Sequence, residues 1–339
     1  MIDFSKLGCD EAVRASFDAA CASLAREGRT FELGRVVSLD RGFPLVRTRG
    51  GESRAELAAS VKKSADGAVA VGDWVVLGVP ESHEKAIVAG ILPRRSELAR
   101  VKRVGHRRAV RRQVLAANVD VVFICQSLTG DGVDERLLVR QMAAVMGSGT
   151  RAVFVLTKSD LVSADAAAWW MRRIAELAPD VPCVLASRSE AEARTDAWRK
   201  LDVARSPAAD ALCELCPAGT TGLLLGESGV GKSTLANELV GEGVLATGAV
   251  RATDDRGRHT TVARRMVDIP GAGVIIDAPG LRTLQIEDVE RCLAAAFPDI
   301  ADAATRCRFA DCTHRSEPDC AVRAEIPRAR LWAWRCLTR

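Results

Sequence analysis

Gly226-Glu227-Ser228-Gly229-Val230-Gly231-Lys232-Ser233, continued by Thr234-Leu235-Ala236-Asn237-Glu238-Leu239, is the stretch that decides the fold. Its glycines let backbone N–H groups wrap the α- and β-phosphates of a nucleotide, the Lys232 ammonium reaches the β/γ oxygens, and the Ser233 hydroxyl ligates Mg2+. The apolar run 222–225 ahead of it reads as a strand and Thr234 onward as a helix, so both flanks suit a phosphate-binding loop. A second nucleotide element, Thr157-Lys158-Ser159-Asp160, closes the apolar run 152–156 and lies before this loop instead of after it. That inverted order predicts a circularly permuted GTPase, and it places the γ-phosphate-sensing segment directly ahead of a C-terminal cysteine cluster. A nucleotide signal then has a short covalent route to a partner-binding module.

The base is read at Asp160, whose carboxylate accepts from N1–H and the exocyclic amine of guanine; adenine offers no such pair of donors. The Lys158 stem lies along the base. Ala186-Ser187, after the strand 181–185, supplies a backbone contact to the guanine oxygen. An ATP-using enzyme carrying the four-residue element by chance is the rival reading. Asp277-Ala278-Pro279-Gly280 follows another apolar strand, 273–276, and sets Asp277 on Mg2+, directly or through water, with the Gly280 amide toward the γ-phosphate. Between the two phosphate elements lies Gly257-Arg258-His259-Thr260-Thr261, where either threonine closes over Mg2+ and the γ-phosphate. Leu281 stands where Ras-like GTPases carry the glutamine that orients water, which predicts slow intrinsic hydrolysis. His259 is the candidate for that role, an ordinary loop histidine being the alternative. Gly229 takes the position of the asparagine of potassium-activated GTPases, so potassium dependence is not expected.

A chain of 339 residues has room for several domains. Residues 1–33 read as a helical extension with Val13, Phe17 and Leu24 at helical spacing. Short β-like runs at 35–39, 43–46, 74–77 and 86–88 predict an N-terminal OB-type β-barrel over 34–93. Residues 94–115 read as a basic linker, with Arg94, Arg95, Arg100, Lys102, Arg103, Arg107, Arg108, Arg111 and Arg112 against Glu97. Such density suits RNA, since neutralised phosphates release counterions; a solvated linker is the plainer alternative. Alternating strands and helices over 116–298 predict the circularly permuted α/β P-loop GTPase domain with a parallel sheet, its ligands at the carboxyl ends of the strands. The polar start Met1 to Lys6 and the lack of any apolar run near the about 20 residues of a membrane helix predict a soluble, cytoplasmic protein.

Cysteine usage agrees: the 11 cysteines read as reduced thiols and metal ligands rather than a disulfide framework. Cys307, Cys312, His314 and Cys320 have the spacing of a closed, structural Cys3His zinc site, which makes 299–339 a helical zinc-binding domain. Cys213 and Cys216 have redox-like spacing but sit in a helical stretch ahead of the P-loop strand, where they read as packing residues. Trp332 and Trp334 lie among arginines. They either pack on the zinc module or stack on unpaired bases, packing being preferred.

The order of β-barrel, basic linker, TKSD, GESGVGKST, GRHTT, DAPG and CRFADCTHRSEPDC closely resembles the RsgA (YjeQ) family of bacterial small ribosomal subunit biogenesis GTPases, over residues 34–335. The resemblance implies an OB-fold domain, a permuted GTPase domain and a zinc domain that together bind the 30S subunit and its 16S rRNA. It implies GTP/GDP, Mg2+ and one structural Zn2+, and hydrolysis stimulated by the subunit late in its maturation. The chain is expected to act as a monomer away from membranes. It departs from the family at Val262, which takes the place of a third threonine, and at Trp332 and Trp334, which replace tyrosines. A zinc-containing RNA-binding protein that keeps nucleotide only as a structural cofactor is the other rival.

Overall fold

Burial along the strands explains the architecture. The structure is a computed structural model that describes residues 2–24, 30–40, 43–63, 68–79, 85–104, 109–187, 207–241, 264–277, 284–286 and 288–338. In β1 (Thr30–Asp40), β2 (Phe43–Thr48), β3 (Gly51–Leu57), β4 (Trp74–Val79) and β5 (Ala86–Ile91), one set of side chains points into a shared core of Val36, Val46, Ala55, Val75, Leu77 and Val88. The strands pair in the order β1-β2-β3-β5-β4, and β4 returns to β1, which closes a five-stranded barrel. The β3–β5 pair is parallel and the rest antiparallel, as an OB-type barrel requires. Helix α2 (Ala59–Lys63) bridges β3 and β4 and adds Val61 to that core.

The basic stretch read as a linker carries a hairpin, β6 (Glu97–Val104) and β7 (Ala109–Ala117), paired from Glu97↔Ala117 to Val104↔Ala109 with a register shift between Leu98 and Ala99. Arginines at both alternating positions hide the two-residue period that betrays a strand. The hairpin base is apolar and fixed: Leu98 and Leu115 are buried, and Ala117 N–H donates to Val71 O at 3.0 Å. Arg94 adds a salt bridge to the buried Asp73 at 2.6 Å.

Next come β8 (Val121–Ser127), α3 (Glu135–Gly147), β9 (Arg151–Thr157), α4 (Ala164–Leu177), β10 (Cys183–Leu185), α5 (Pro207–Leu215), β11 (Thr221–Leu225), α6 (Lys232–Val240), β12 (Arg264–Asp268) and β13 (Val274–Asp277). The sheet order is β10-β9-β8-β11-β13-β12, parallel except for β12. Both faces are covered. Val122, Ile124, Phe154, Leu223 and Ile276 belong to the core that includes α3 and α4, whereas Val121, Phe123, Val153, Leu224 and Ile275 pack with α5 and α6. Double burial is why these strands read as continuous apolar runs.

Barrel and sheet are continuous, because β1 pairs with β12 at Ser38↔Arg265 and Leu39↔Arg264. Arg35, wholly buried, fastens the same junction: it donates to the carbonyls of Leu7, Asn118 and Gly72 and to Thr221 Oγ1, and lies over the Trp74 ring. Burial pushes its guanidinium down to about 10. The N-terminal segment, a 3-10 turn (Phe4–Leu7) and α1 (Glu11–Leu24), is packed into the main core through Phe4, Leu7 and Val13. After β13 the chain forms α7 (Val289–Ala296), α8 (Pro298–Ala304), α9 (Ala321–Glu325) and α10 (Arg328–Arg335). Among the described residues no helix is long and apolar enough to cross a membrane.

Candidate nucleotide site and metal centre

The phosphate loop links β11 to α6 at the carboxyl edge of the sheet. Gly226 adopts φ +152°, and a Cβ there would lie 2.4 Å from the Cys125 carbonyl oxygen, so only glycine lets β11 turn this close to β8. Glu227, Ser228 and Gly229 form an exposed tip, while Val230 is buried beneath it. Gly231, at φ +104°, caps α6 without a side chain, which leaves the first amides of the helix aimed at the loop mouth, the arrangement that receives anions. Lys232 Nζ donates across the loop to the carbonyls of Gly226, at 2.7 Å, and Glu227. Ser233 and Thr234 follow in the first turn of α6, half-buried.

The base element ends β9, two strands from β11. The buried Thr157 hydroxyl donates to Val230 O at 2.5 Å and lies 3.2 Å from Gln126 O, and so ties the base element to the phosphate loop. Lys158 sits in the left-handed region, at φ +58°, and starts a 3-10 turn, Ser159–Leu161, that carries Asp160 into solvent. Ser159 N–H donates to Ala186 O at 3.2 Å, which places Ala186 and Ser187 beside the element. Asp277 ends β13, buried, next to β11 in the register Leu223↔Ile276. The structure thus assembles Gly226 to Thr234, Thr157 to Asp160, Ser187 and Asp277 along one edge. His259, Thr260, Thr261 and Gly280 lie outside the described residues.

Cys307, Cys312, His314 and Cys320 bring their ligand atoms within 4.8 Å of one another. Cys307 Sγ is 3.9 Å from Cys320 Sγ and 3.6 Å from His314 Nδ1, and Cys320 Sγ is 3.5 Å from that nitrogen. A tetrahedron with ordinary zinc bond lengths requires about 3.8 Å between sulfurs and about 3.5 Å between sulfur and nitrogen, so the donor set fits zinc. The Val322 amide, followed by Ala321, lowers the Cys307 thiol, since the start of α9 favours the thiolate.

Several supporting residues escaped the sequence reading. Glu317 accepts from the amides of Thr313, Arg315 and Ser316 and from the Thr313 hydroxyl, and these bonds, the hydroxyl's first, hold its carboxyl well below the usual range. A Thr and an Glu four residues apart inside a tight loop is the signal that marks it. His314, at φ +57°, has its carbonyl held by Arg335 and its ring 5.5 Å from Trp334, edge-on. Trp332 and Trp334 are partly buried against the core, which accords with packing. Cys216 is buried and Cys213 half-buried on α5 and its end, where they pack against the core under the sheet.

The RsgA GTPase family model matches residues 91–287. The small ribosomal subunit biogenesis GTPase RsgA 2 of Lactiplantibacillus plantarum is 37% identical over 91% of this chain and 81% of its own length. RsgA of Streptomyces avermitilis is 38% identical over 96% of this chain and 83% of its own. Among solved structures, YjeQ from Thermotoga maritima superposes with a TM-score of 0.63 at 21% identity, covering 90% of this chain and 96% of that one. YloQ, a circularly permuted GTPase, gives 0.60 at 20% identity, covering 93% and 97%. In this chain the phosphate loop comes after its base element, on a sheet joined to a five-stranded barrel, and with these matches the conclusion follows: the chain belongs to the RsgA GTPase family and is a circularly permuted, GTP-hydrolysing enzyme.

Proposed function

We propose that this GTPase binds the small ribosomal subunit in its GTP form, acts late in that subunit's maturation, and leaves after hydrolysis. The observation that carries the reading is the bond from Thr157 to Val230, which joins base element and phosphate loop into one site. The relatives named for small-subunit biogenesis supply the partner. Asp160 selects guanine, the amides of Gly226 to Gly231 and the Lys232 ammonium take the phosphates, and Ser233 and Asp277 hold Mg2+. When bound, Mg2+ supplies charge that offsets the phosphates. Ser187 contributes a backbone contact to the base.

Water attacks the γ-phosphorus in line, the bond to the β–γ bridging oxygen breaks, and GDP and phosphate leave. The protein's part is positioning and charge stabilisation. Leu281 has no group to orient that water, so the free enzyme is slow, and His259, Thr260 and Thr261, with the Gly280 amide, complete the site on the subunit. The basic hairpin contacts 16S rRNA, one zinc ion held by Cys307, Cys312, His314 and Cys320 fixes the C-terminal domain, and the enzyme works as a cytoplasmic monomer. Sedimentation of purified small subunits with the protein tests this: retention with a non-hydrolysable GTP analogue and release with GDP are expected. Equal retention with both nucleotides would sink the proposal.

A further inference from the structure

The two chain segments that leave the nucleotide site end at the same side chain. From Asp160 the chain enters α4, whose last residue is Leu177; from Asp277 it runs on to α7, whose last residue is Ala296. Arg330 of α10, only 4% exposed, reaches both ends: Nη1 donates to Leu177 O at 3.1 Å and Nη2 to Ala296 O at 2.8 Å. Its Nε and Nη2 also pair with Asp299 of α8 at 3.0 and 2.9 Å, and its guanidinium lies 4.3 Å from the Phe297 ring centroid, at the elbow between α7 and α8.

Physical chemistry makes this a demanding contact. The last carbonyls of a helix have no partner within it and carry partial negative charge, so one cation satisfies two helix ends at once. Only a planar fork with five donors reaches two carbonyls and a carboxylate together; a lysine ammonium is a point charge. Moving α7 relative to α4 breaks part of the set and leaves a desolvated charge short of acceptors, which is costly.

The same helix meets the Cys/His cluster one turn further on. Trp334 stands edge-on to His314, and Arg335 donates to the His314 carbonyl. On the α4 side, Trp332 lies 5.9 Å from Arg173, which is itself held by Glu135 of α3 at 2.6 and 2.9 Å. Helix α10 is thus a short rod with the ends of both nucleotide-derived helices at one end and the zinc ligand His314 at the other. We propose that Arg330 is a positioning residue, the joint through which nucleotide state acts on the zinc-binding domain. The inference rests on the nucleotide reading above.

Hydrogen–deuterium exchange on the full-length, zinc-loaded chain tests it, with GDP compared against a non-hydrolysable GTP analogue. In the native protein, nucleotide exchange is expected to change protection both in the phosphate loop, 226–233, and in the cysteine loop, 307–320. Arg330→Met is expected to lose the change in the cysteine loop while it keeps the change in the phosphate loop and its zinc content. Arg330→Lys retains the charge, serves if the methionine variant misfolds, and is expected to lose the cysteine-loop change as well. A variant that keeps the full cysteine-loop difference, or a native protein that shows it only in the phosphate loop, would overturn the joint. A native protein with no difference in the phosphate loop would overturn the nucleotide reading itself, and the joint with it.

Discussion

At the scale of single residues, Lys232 and Thr157 carry the nucleotide site proposed above. Lys232 spans the loop to Gly226 O and Glu227 O, so its ammonium already lies across the loop. Lys232→Ala is expected to weaken GDP binding by about 100-fold, since a charge-assisted bond to phosphate is worth roughly 2–3 kcal/mol, with an unchanged circular dichroism spectrum. Titration with a fluorescent GDP reads the change. Thr157→Val removes the donor to Val230 O and leaves that carbonyl buried, at a cost of about 1–2 kcal/mol, seen as a lower melting temperature and roughly tenfold weaker GDP binding. The placement of these residues was legible because their pattern is local: the glycines, Lys232 and Asp160 sit at fixed spacing in short stretches at strand ends. Arg35 and Arg330 were not legible. An arginine reads as exposed until distant carbonyls, such as Asn118 O for Arg35 and Leu177 O for Arg330, are folded around it.

Elements were legible in proportion to their burial. The parallel strands, apolar on both faces, stood out as continuous apolar runs. β3 escaped because Gly51–Leu57 buries only Ala55, and β12 because Arg264–Asp268 presents mostly polar side chains. Both are paired strands whose neighbours, not their own composition, make them strands. The cysteine loop was legible from spacing alone, yet its supports, Glu317 and Trp334, became visible only in three dimensions. If the cluster holds the proposed zinc, chelation of the zinc-loaded chain, or Cys320→Ser, is expected to unfold the loop and change tryptophan emission, because Trp334 packs edge-on against His314. Far-UV circular dichroism is expected to retain the signal of α3, α4 and α6. Loss of that signal together with the emission change would show that the cysteine loop does not fold as a separate unit.

At the scale of the molecule, barrel, sheet and C-terminal helices are fastened by buried charge as well as by strand pairing. Burial raises the Asp299 carboxyl, but the bonds from Arg330 outweigh it and hold the group below its ordinary range. A folded carboxyl held low stabilises above its unfolded pKa, about 3.9, and loses that contribution as pH falls through its lower folded value. The native chain is therefore expected to melt higher than Asp299→Asn near neutral pH, with the gap closing below about pH 4, as scanning calorimetry across pH would show. The order of domains was legible from motif order, but the continuity of barrel and sheet through β1 and β12 was not, since it joins residues far apart in sequence. The central claim concerns the whole molecule and its partner, and phosphate release from GTP and from ATP, with and without purified small subunits and at low and high salt, tests it most directly. The account predicts slow release alone, large stimulation by subunits confined to GTP, and stimulation that fades as salt screens the basic hairpin. Turnover that ignores the subunits, or that runs equally on ATP, would contradict it.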